Sequence, residues 1–308
     1  MRIGFYIKYD SNQLGQIVGE EKYAKSICKE LVKLNGVASA QVFNPSILPS
    51  EKLDVMIHLN DTWPNSYAYK HVLYFQNFYH QGSDIVLRQL QQRGFDGYAF
   101  FSQRLLDLHL QSGYRGIFLP LAADTTIFQP MPQRPSHQFD VVYIGNDIKG
   151  KERTMRYLHP ATQFNFGLFG YWNQPWNSMS SGELWSKLSK GPVTRKQSAS
   201  IYSNAKIVLN YTSEDSIKWD AMNLRFFEVL ACRSFLISDR VPSAKREFHD
   251  CMVFTDGGED LTEKINYYLA TPEERNEIAE RGYQYVTKYA TVQVRAQELF
   301  NYLLQILR

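Results

Sequence analysis

The sequence predicts an α/β protein made of two domains with parallel sheets, and three observations carry that expectation. The chain has 308 residues, too many for one ordinary hydrophobic core and suited to two α/β domains of roughly 150 residues each. Short, continuously apolar runs alternate with longer stretches of helical periodicity, as parallel strands buried on both faces require. The alternation stops at QPMPQRPSHQ (129–138), which holds three prolines and no apolar period. This is a linker signal.

RIGFYI (2–7) opens the first series as a strand, and a helix is expected over 19–34. On it Tyr23, Ile27, Leu31 and Leu34 recur at helical spacing, while Lys22, Lys25, Lys29 and Glu30 are expected on the wet face. Further strands are expected at 40–43, 54–59, 72–75, 98–101 and 116–121. The second series begins at FDVVYIGN (139–146), followed by a polar helix start at KGKERTMRYL, and continues with strands at 164–169, 206–211, 234–238 and 252–255. Thr271, Pro272, Glu273 and Glu274 read as an N-cap, a first-turn proline and a capping-box glutamate. After a break near 289–291, the stripe Val292, Ala296, Leu299, Leu303 and Ile306 predicts a final helix that covers an apolar surface. The expected domains are therefore 1–130, joined by the helix of 291–308, and 138–290.

Composition narrows the function classes. The net charge of +3 comes from 34 Lys and Arg against 31 Asp and Glu, without the basic block that nucleic-acid binding would show. Cys28, Cys232 and Cys251 have no paired spacing, which argues against a disulfide framework or a structural zinc site and for a reducing cytoplasm. No stretch approaches the roughly 18 apolar residues of a membrane span, so at most a peripheral membrane contact is expected. No spacing of His, Cys, Asp and Glu suggests a metal.

The most informative stretch is IYSNAKIVLNYTSEDSIKWDAMNLRFFEVLACRSFLISD (201–239), a strand, loop, helix and strand. Ligands of open parallel sheets sit beyond the carboxyl ends of strands, where helix N-termini offer donors to phosphate. Asn223 and Arg225 stand at such a helix start, and Glu228 follows one turn later. A guanidinium there suits a pyrophosphate, and a carboxylate suits the vicinal hydroxyls of a ribose. The plainer alternative makes Asn223 an N-cap, Arg225 a solvated charge and Glu228 a favourable acid near the helix start. Spacing alone favours that plainer alternative.

The segment resembles the C-terminal signature of GT-B glycosyltransferases, particularly the CgeB-like (spore maturation protein) group and its family 4 relatives. The shared pattern is carried here by Asn223, Arg225, Phe227 and Glu228, with Ala231 and the strand ending at Asp239 after it. The FLPLAADTTIFQP run (118–130) is similar to the family's passage into its linker, with Asp124, Phe128 and Pro130 matching. The resemblance implies two Rossmann-like domains with parallel sheets facing a central cleft, and a terminal helix packing back on the N-domain. It implies that Glu228 binds the donor ribose and Arg225 the phosphates, and that the glycine-rich entry of the first helix, with Gly15 and Gly19 before Glu20, faces the donor phosphates.

Two departures from the family pattern stand out. Relatives carry two glutamates eight positions apart, and the earlier position is Asp220 here. Relatives commonly have glycine after the helix, where this chain has Arg233, and a non-glycine residue in a left-handed cap costs about 1 kcal/mol.

A second basic group follows the first C-domain strand, with Gly145, Lys149, Lys151 and Arg153 in IGNDIKGKERTMR. Its glycines complete no dinucleotide or P-loop fingerprint, and a solvated turn is the alternative. Resemblance favours Arg153. On the acceptor side, Asn60, Asp61, Trp63, Asn77, Tyr79 and His80 mix polar groups with rings, although ordinary turn chemistry also accounts for each alone. An inverting reaction would take its base from Asp61, His80 or Asp84, with Asp61 and His80 as the catalytic candidates. The family 4 resemblance leans to a retaining reaction in which the leaving phosphate accepts the proton.

The expected function is metal-independent transfer of a sugar from a nucleotide-diphosphate sugar to a hydroxyl acceptor. The donor is a substrate, with UDP or GDP as the expected nucleotide, and no cofactor is expected. The acceptor, whether sugar, lipid-linked, protein or small molecule, is left open. A catalytically silent GT-B-like module that binds nucleotide or glycan is the alternative. An NAD-dependent oxidoreductase ranks below both, because the first strand lacks a following Gly-x-Gly-x-x-Gly turn.

Overall fold

A computed structural model describes residues 1–9, 19–59, 61–79, 81–132, 139–172 and 183–308. Its first strands and helices are β1 (Arg2–Tyr6), α1 (Gly19–Leu31), β2 (Ser39–Phe43), β3 (Leu53–Leu59), β4 (Ala68–Phe75), α2 (Ser83–Gln91), β5 (Gly97–Phe100), α3 (Gln103–Gln111) and β6 (Ile117–Phe118). There follow β7 (Phe139–Ile144), α4 (Lys151–Tyr157), β8 (Phe166–Phe169), α5 (Glu183–Leu188), α6 (Arg195–Asn204), β9 (Ala205–Asn210), α7 (Glu214–Lys218) and α8 (Leu224–Ala231). The last are β10 (Leu236–Ser238), α9 (Pro242–Glu247), β11 (Val253–Phe254), α10 (Gly258–Ala270), α11 (Pro272–Tyr289) and α12 (Val292–Ile306). The chain forms two compact units, one of residues 1–121 with 292–308 and one of 122–291.

The first unit holds a six-stranded parallel sheet in the order β2-β1-β3-β4-β5-β6. Ile3 stands opposite Val55 and Ile57 opposite Val72, and all four are buried, as strands covered on both faces require. α1 contributes Tyr23, Ile27 and Leu31 to the core, and α12 contributes Val292, Ala296, Leu299 and Leu303. These two helices pack on each other. α12 is also tied to the sheet, because the Tyr98 amide donates to the Tyr302 hydroxyl at 2.9 Å. Glu30, expected on the wet face of α1, is instead buried and held by Lys33 at 2.7 Å.

Three histidines of this unit lie inside it. His58 faces His71 at 3.0 Å and the Thr62 hydroxyl at 3.1 Å. His109 accepts from the Gln91 amide at 2.8 Å and donates to the Arg115 carbonyl at 3.2 Å. Burial holds His58 down to about 3, helped by its neighbour His71, and it also lowers His71 and His109.

The second unit holds a five-stranded parallel sheet in the order β11-β10-β9-β7-β8. Its core gathers Tyr143, Tyr157, Trp172, Trp185, Tyr211 and Ile237. Residues 122–132 belong to this unit. Ala123 donates to the Ala290 carbonyl at 3.0 Å, the buried Phe128 ring lies 6.4 Å from Tyr202, and the Met131 amide donates to Ser203 at 3.2 Å.

Two helix ends repay comparison with expectation. The expected capping box at Thr271 does not form: its hydroxyl donates back to the Tyr267 carbonyl at 2.9 Å, and Glu274 accepts from the Tyr267 hydroxyl at 2.7 Å. The end of α10 thus claims the groups that α11 would have used. Past α8, Arg233, where the resemblance leads one to expect glycine, adopts the left-handed conformation at φ 56°. Arg233 donates to the Leu230 carbonyl at 3.0 Å and Ser234 to that of Val229 at 3.3 Å, a Schellman pair. An ion pair from Arg233 to Glu280 accompanies this cap.

Burial holds the folded His58 unprotonated until pH falls toward about 3, whereas an unfolded imidazole titrates near 6.5. The stability that its burial contributes is full above the unfolded value and lost as pH falls below it. We expect chemical denaturation to show stability falling between pH 6.5 and 5 by up to about 1.4 kcal/mol per pH unit for each such histidine. His58→Gln should flatten that slope.

Candidate functional site

In the second sheet the strand order reverses between β7 and β9, and the carboxyl ends of such a pair are where α/β sheets bind ligands. Arg225 spans this gap. Its Nε donates to the Ile144 carbonyl at the end of β7 at 2.8 Å, and its Nη1 donates to Asn210 Oδ1 at the end of β9 at 2.6 Å. The guanidinium lies 4.6 Å from the Tyr143 ring centre. Gly145 admits this path, since a Cβ there would stand 2.5 Å from Arg225 Nη2. Arg225 is therefore an integrated part of the sheet end and no solvated helix charge.

Asn223 is the N-cap of α8, and its Oδ1 accepts from the Arg225 amide at 3.0 Å. Its Nδ2 donates to Asn210 Oδ1 at 3.1 Å, so the cap that starts the helix also fixes the residue that aims Arg225. Glu228 follows on the same helix, half-buried, and its charge acts on Arg225, Tyr202 and Cys232. Burial alone would lower the Arg225 pKa, but Tyr143, Tyr202 and Glu228 together raise it. The guanidinium keeps its charge.

Two more basic side chains gather around the same buried rings. Lys149 donates to the Tyr143 hydroxyl at 2.5 Å, with its Nζ 5.1 Å from the Tyr143 ring centre and 4.4 Å from that of Tyr211. Arg153 donates to the Thr212 carbonyl at 2.7 Å and pairs with Asp239. Asp239 is wholly buried and also accepts from the Thr212 amide at 2.9 Å and hydroxyl at 2.8 Å. Tyr143 and Tyr211 lie 5.1 Å apart, with Thr154 at 3.0 Å from the Tyr211 hydroxyl. Burial raises both phenols, so they remain protonated donors.

β8 closes one side of the site. Gly170 sits at φ 124°, and a Cβ there would stand 2.1 Å from the Gly145 carbonyl oxygen. The Trp172 indole donates to that same oxygen at 2.8 Å. This approach holds the turn after β7 against the end of β8.

Of the residues expected to bind a donor, Lys149, Arg153, Asn223, Arg225 and Glu228 thus cluster around Tyr143, Tyr202, Tyr211 and Asn210. Asp220 does not join them. It lies at φ 52°, and its carboxylate accepts from the Ser243 amide at 2.5 Å and from Arg246 at 2.6 Å, bracing the start of α9. Lys151 is exposed on the first turn of α4. Gly15, His80 and Asn60 lie outside the described residues.

The first unit has its own reversal, between β1 and β3. Just beyond it Lys8 pairs with Asp61 at 2.5 Å, and the Lys8 Nζ lies 5.1 Å from the Tyr9 ring centre. Burial and the charges of Asp61, Tyr9 and Glu20 push the Tyr79 phenol up. Asn77 lies beside it. Asp84 is taken by Arg88 at 2.7 Å, and the exposed Trp63 ring carries the Arg93 guanidinium at 4.1 Å. These two stand apart from the Lys8 and Asp61 pair in their partners.

Sequence reasoning overlooked Tyr143, Asn210, Tyr211 and Lys8. A strand that ends in a polar or phenolic side chain, as VVYIGN and KIVLNY do, is the available signal, because a strand's carboxyl end is where such groups face a ligand. Among the described residues, no cluster of three His, Cys, Asp or Glu side chains is placed to hold a metal ion, and no helix is long and apolar enough to cross a membrane. All three cysteines are buried free thiols.

Residues 152–301 match the family described as "Glycosyl transferase-like". No curated protein matches the sequence significantly. Among solved structures, sucrose-phosphate synthase from Thermosynechococcus elongatus superposes with a TM-score of 0.72 at 11% identity, covering 99% of this chain and 98% of that one. Anabaena HepE in complex with UDP and glucose gives 0.70 at 13% identity, covering 98% and 99%. T4 phage BGT in complex with UDP-glucose gives 0.66 at 14% identity, covering 100% and 99%. The fold is that of the GT-B glycosyltransferases.

The close contact of β8 with the turn after β7 predicts the effect of Gly170→Ala. It should lower stability by more than about 2 kcal/mol, because the backbone conformation and the 2.1 Å approach both oppose a Cβ. A thermal melt unchanged from wild type would contradict that approach.

Proposed function

We propose that the chain is a glycosyltransferase that moves a sugar from a nucleotide-diphosphate sugar to a hydroxyl acceptor, with retention of configuration and without a metal ion. The observation that carries this reading is the convergence of Arg225, Lys149 and Arg153 at the reversal point of the second sheet. Two fixed guanidinium cations and a lysine amine at a strand-end gap suit a diphosphate, and they suit it better as the sugar departs and negative charge grows on the leaving phosphate. Fixed cations of this kind do the work that a divalent ion does elsewhere.

Glu228 is assigned to the donor ribose, where its two oxygens suit vicinal hydroxyls. Asn223 acts by setting the helix start. The solved relatives bound to UDP, UDP with glucose, or UDP-glucose make a UDP sugar the first donor to test, with GDP sugars next. No cofactor is assigned. The Asn223, Arg225, Phe227 and Glu228 pattern supports placement with CgeB-like and family 4 enzymes. Free buried thiols support a reducing compartment, and we assign the cytoplasm.

Retention is favoured by the state of Asp61, whose carboxylate is held by Lys8 at 2.5 Å. To serve as a base it would first have to leave that ion pair, whereas a leaving phosphate needs no such release. The polar and aromatic groups around Tyr79 are assigned to acceptor recognition.

Release of free nucleotide from a panel of UDP, GDP and TDP sugars should therefore be measurable and resistant to EDTA. Glu228→Ala and Arg225→Met should each lower kcat/KM by roughly 10- to 150-fold, as expected for losing a hydrogen bond to a charged group. Nucleotide binding with no turnover on any acceptor would select the silent module instead. The anomeric configuration of the product, read by NMR, tests retention. An inverted product with activity lost in Asp61→Asn would replace it with direct displacement.

A further inference from the structure

We propose that Lys149 is a free amine in the empty site and takes up one proton from solvent when a nucleoside diphosphate binds, so that donor binding is coupled to protonation at this one position. The inference rests on the proposed function and concerns the charge of the same site. The geometry separates Lys149 from its two neighbouring cations. Arg153 has the buried Asp239 as a counter-ion, and Arg225 has Glu228 one turn along its helix, together with acceptors at Ile144 and Asn210. Among the described residues, Lys149 meets the Tyr143 hydroxyl and the faces of Tyr143 and Tyr211.

Among the described residues, each element that presents a charge or ring to the amine can be named. β7 presents Tyr143, the end of β9 presents Tyr211, α8 presents Arg225, α4 presents Arg153, and the end of β10 presents Asp239. Burial and the two guanidinium charges push Lys149 well below its ordinary range, and Asp239 opposes them only in part. The arginines cannot respond, because a guanidinium stays charged at every relevant pH. The rings favour a charged amine, but two nearby positive charges and loss of water oppose it.

A bound diphosphate reverses this balance. Its negative oxygens would face Lys149, Arg225 and Arg153 together and stabilise an ammonium. The proton then moves from buffer to Nζ, and no covalent bond to the ligand forms. In the empty site the amine can accept the Tyr143 phenolic hydrogen, and once protonated it donates in return. The empty site thereby avoids a third uncompensated cation, and the third charge appears only when the donor supplies its counter-ion.

Calorimetric titration of the full chain with UDP, and with GDP and ADP in parallel, tests this at pH 8 in buffers of different ionisation enthalpy. At that pH a terminal phosphate, with its second pKa near about 6, is already ionised, so the ligand itself takes up no proton. Wild type should absorb a large fraction of a proton per nucleotide bound, and its Kd should rise by up to about tenfold per pH unit as pH increases above the empty-state value. Lys149→Arg, whose charge does not titrate, and Lys149→Met, which keeps an apolar stem, should both bind without proton uptake and with a flat pH dependence. Binding to wild type without proton uptake overturns the inference while leaving the site assignment standing. Proton uptake that persists in both variants also overturns it. Failure of all three nucleotides to bind overturns the site assignment and the inference with it.

Discussion

The second unit depends on one guanidinium. Arg225 reaches back from the first turn of α8 to the last residues of β7 and β9, two neighbouring strands between which the sheet reverses its order. Each contact is a hydrogen bond from a charged donor, the kind worth about 1.5–3 kcal/mol. The surroundings are organised to keep that charge: a tyrosine face below, a phenol and a carboxylate beside it, and a glycine where any side chain would collide. The group that holds the strand ends open is also the group that presents positive charge in the gap.

Around this centre the unit separates tasks among similar residues. Three basic side chains stand over two buried tyrosines, yet they differ in compensation. Arg153 is locked by Asp239 and the chain at Thr212, Arg225 is locked by the sheet, and Lys149 rests on aromatic faces and a phenol. Rigid arginines keep the site preorganised, so that little reorganisation is needed when negative charge arrives. The lysine is the member whose protonation can follow its ligand.

The carboxylates divide in the same manner. Asp220 and Glu228 are eight positions apart, and the family resemblance pairs them, but their backbones differ. Asp220 sits in the left-handed region and turns its carboxylate to Ser243 and Arg246, where it anchors α9. Glu228 lies within α8 and keeps its influence on Arg225 and Tyr202. Arg233 shows the complementary case: a left-handed position that would suit glycine is filled by a longer residue, and the cap survives because its two backbone bonds form and Glu280 pairs with the side chain.

By itself the sequence determined the alternation of strand and helix, both parallel sheets, the cap at Asn223 and the terminal stripe of α12, because apolar periodicity and capping chemistry act over a few residues. Only the tertiary structure decided which polar groups meet. Tyr143, Asn210 and Tyr211 lie on strands far apart in the chain and become one site through the pairing of β7 with β9. It also decided against local signals where a nearer partner competed, as when Tyr267 took both Thr271 and Glu274 from the expected capping box. Glu30 went inside although its pattern placed it in water, with the exposed Lys33 pairing with its carboxylate. Hydrogen bonds and charges are satisfied by whatever lies within about 3 Å, and that distance is set by the fold and not by position along the chain.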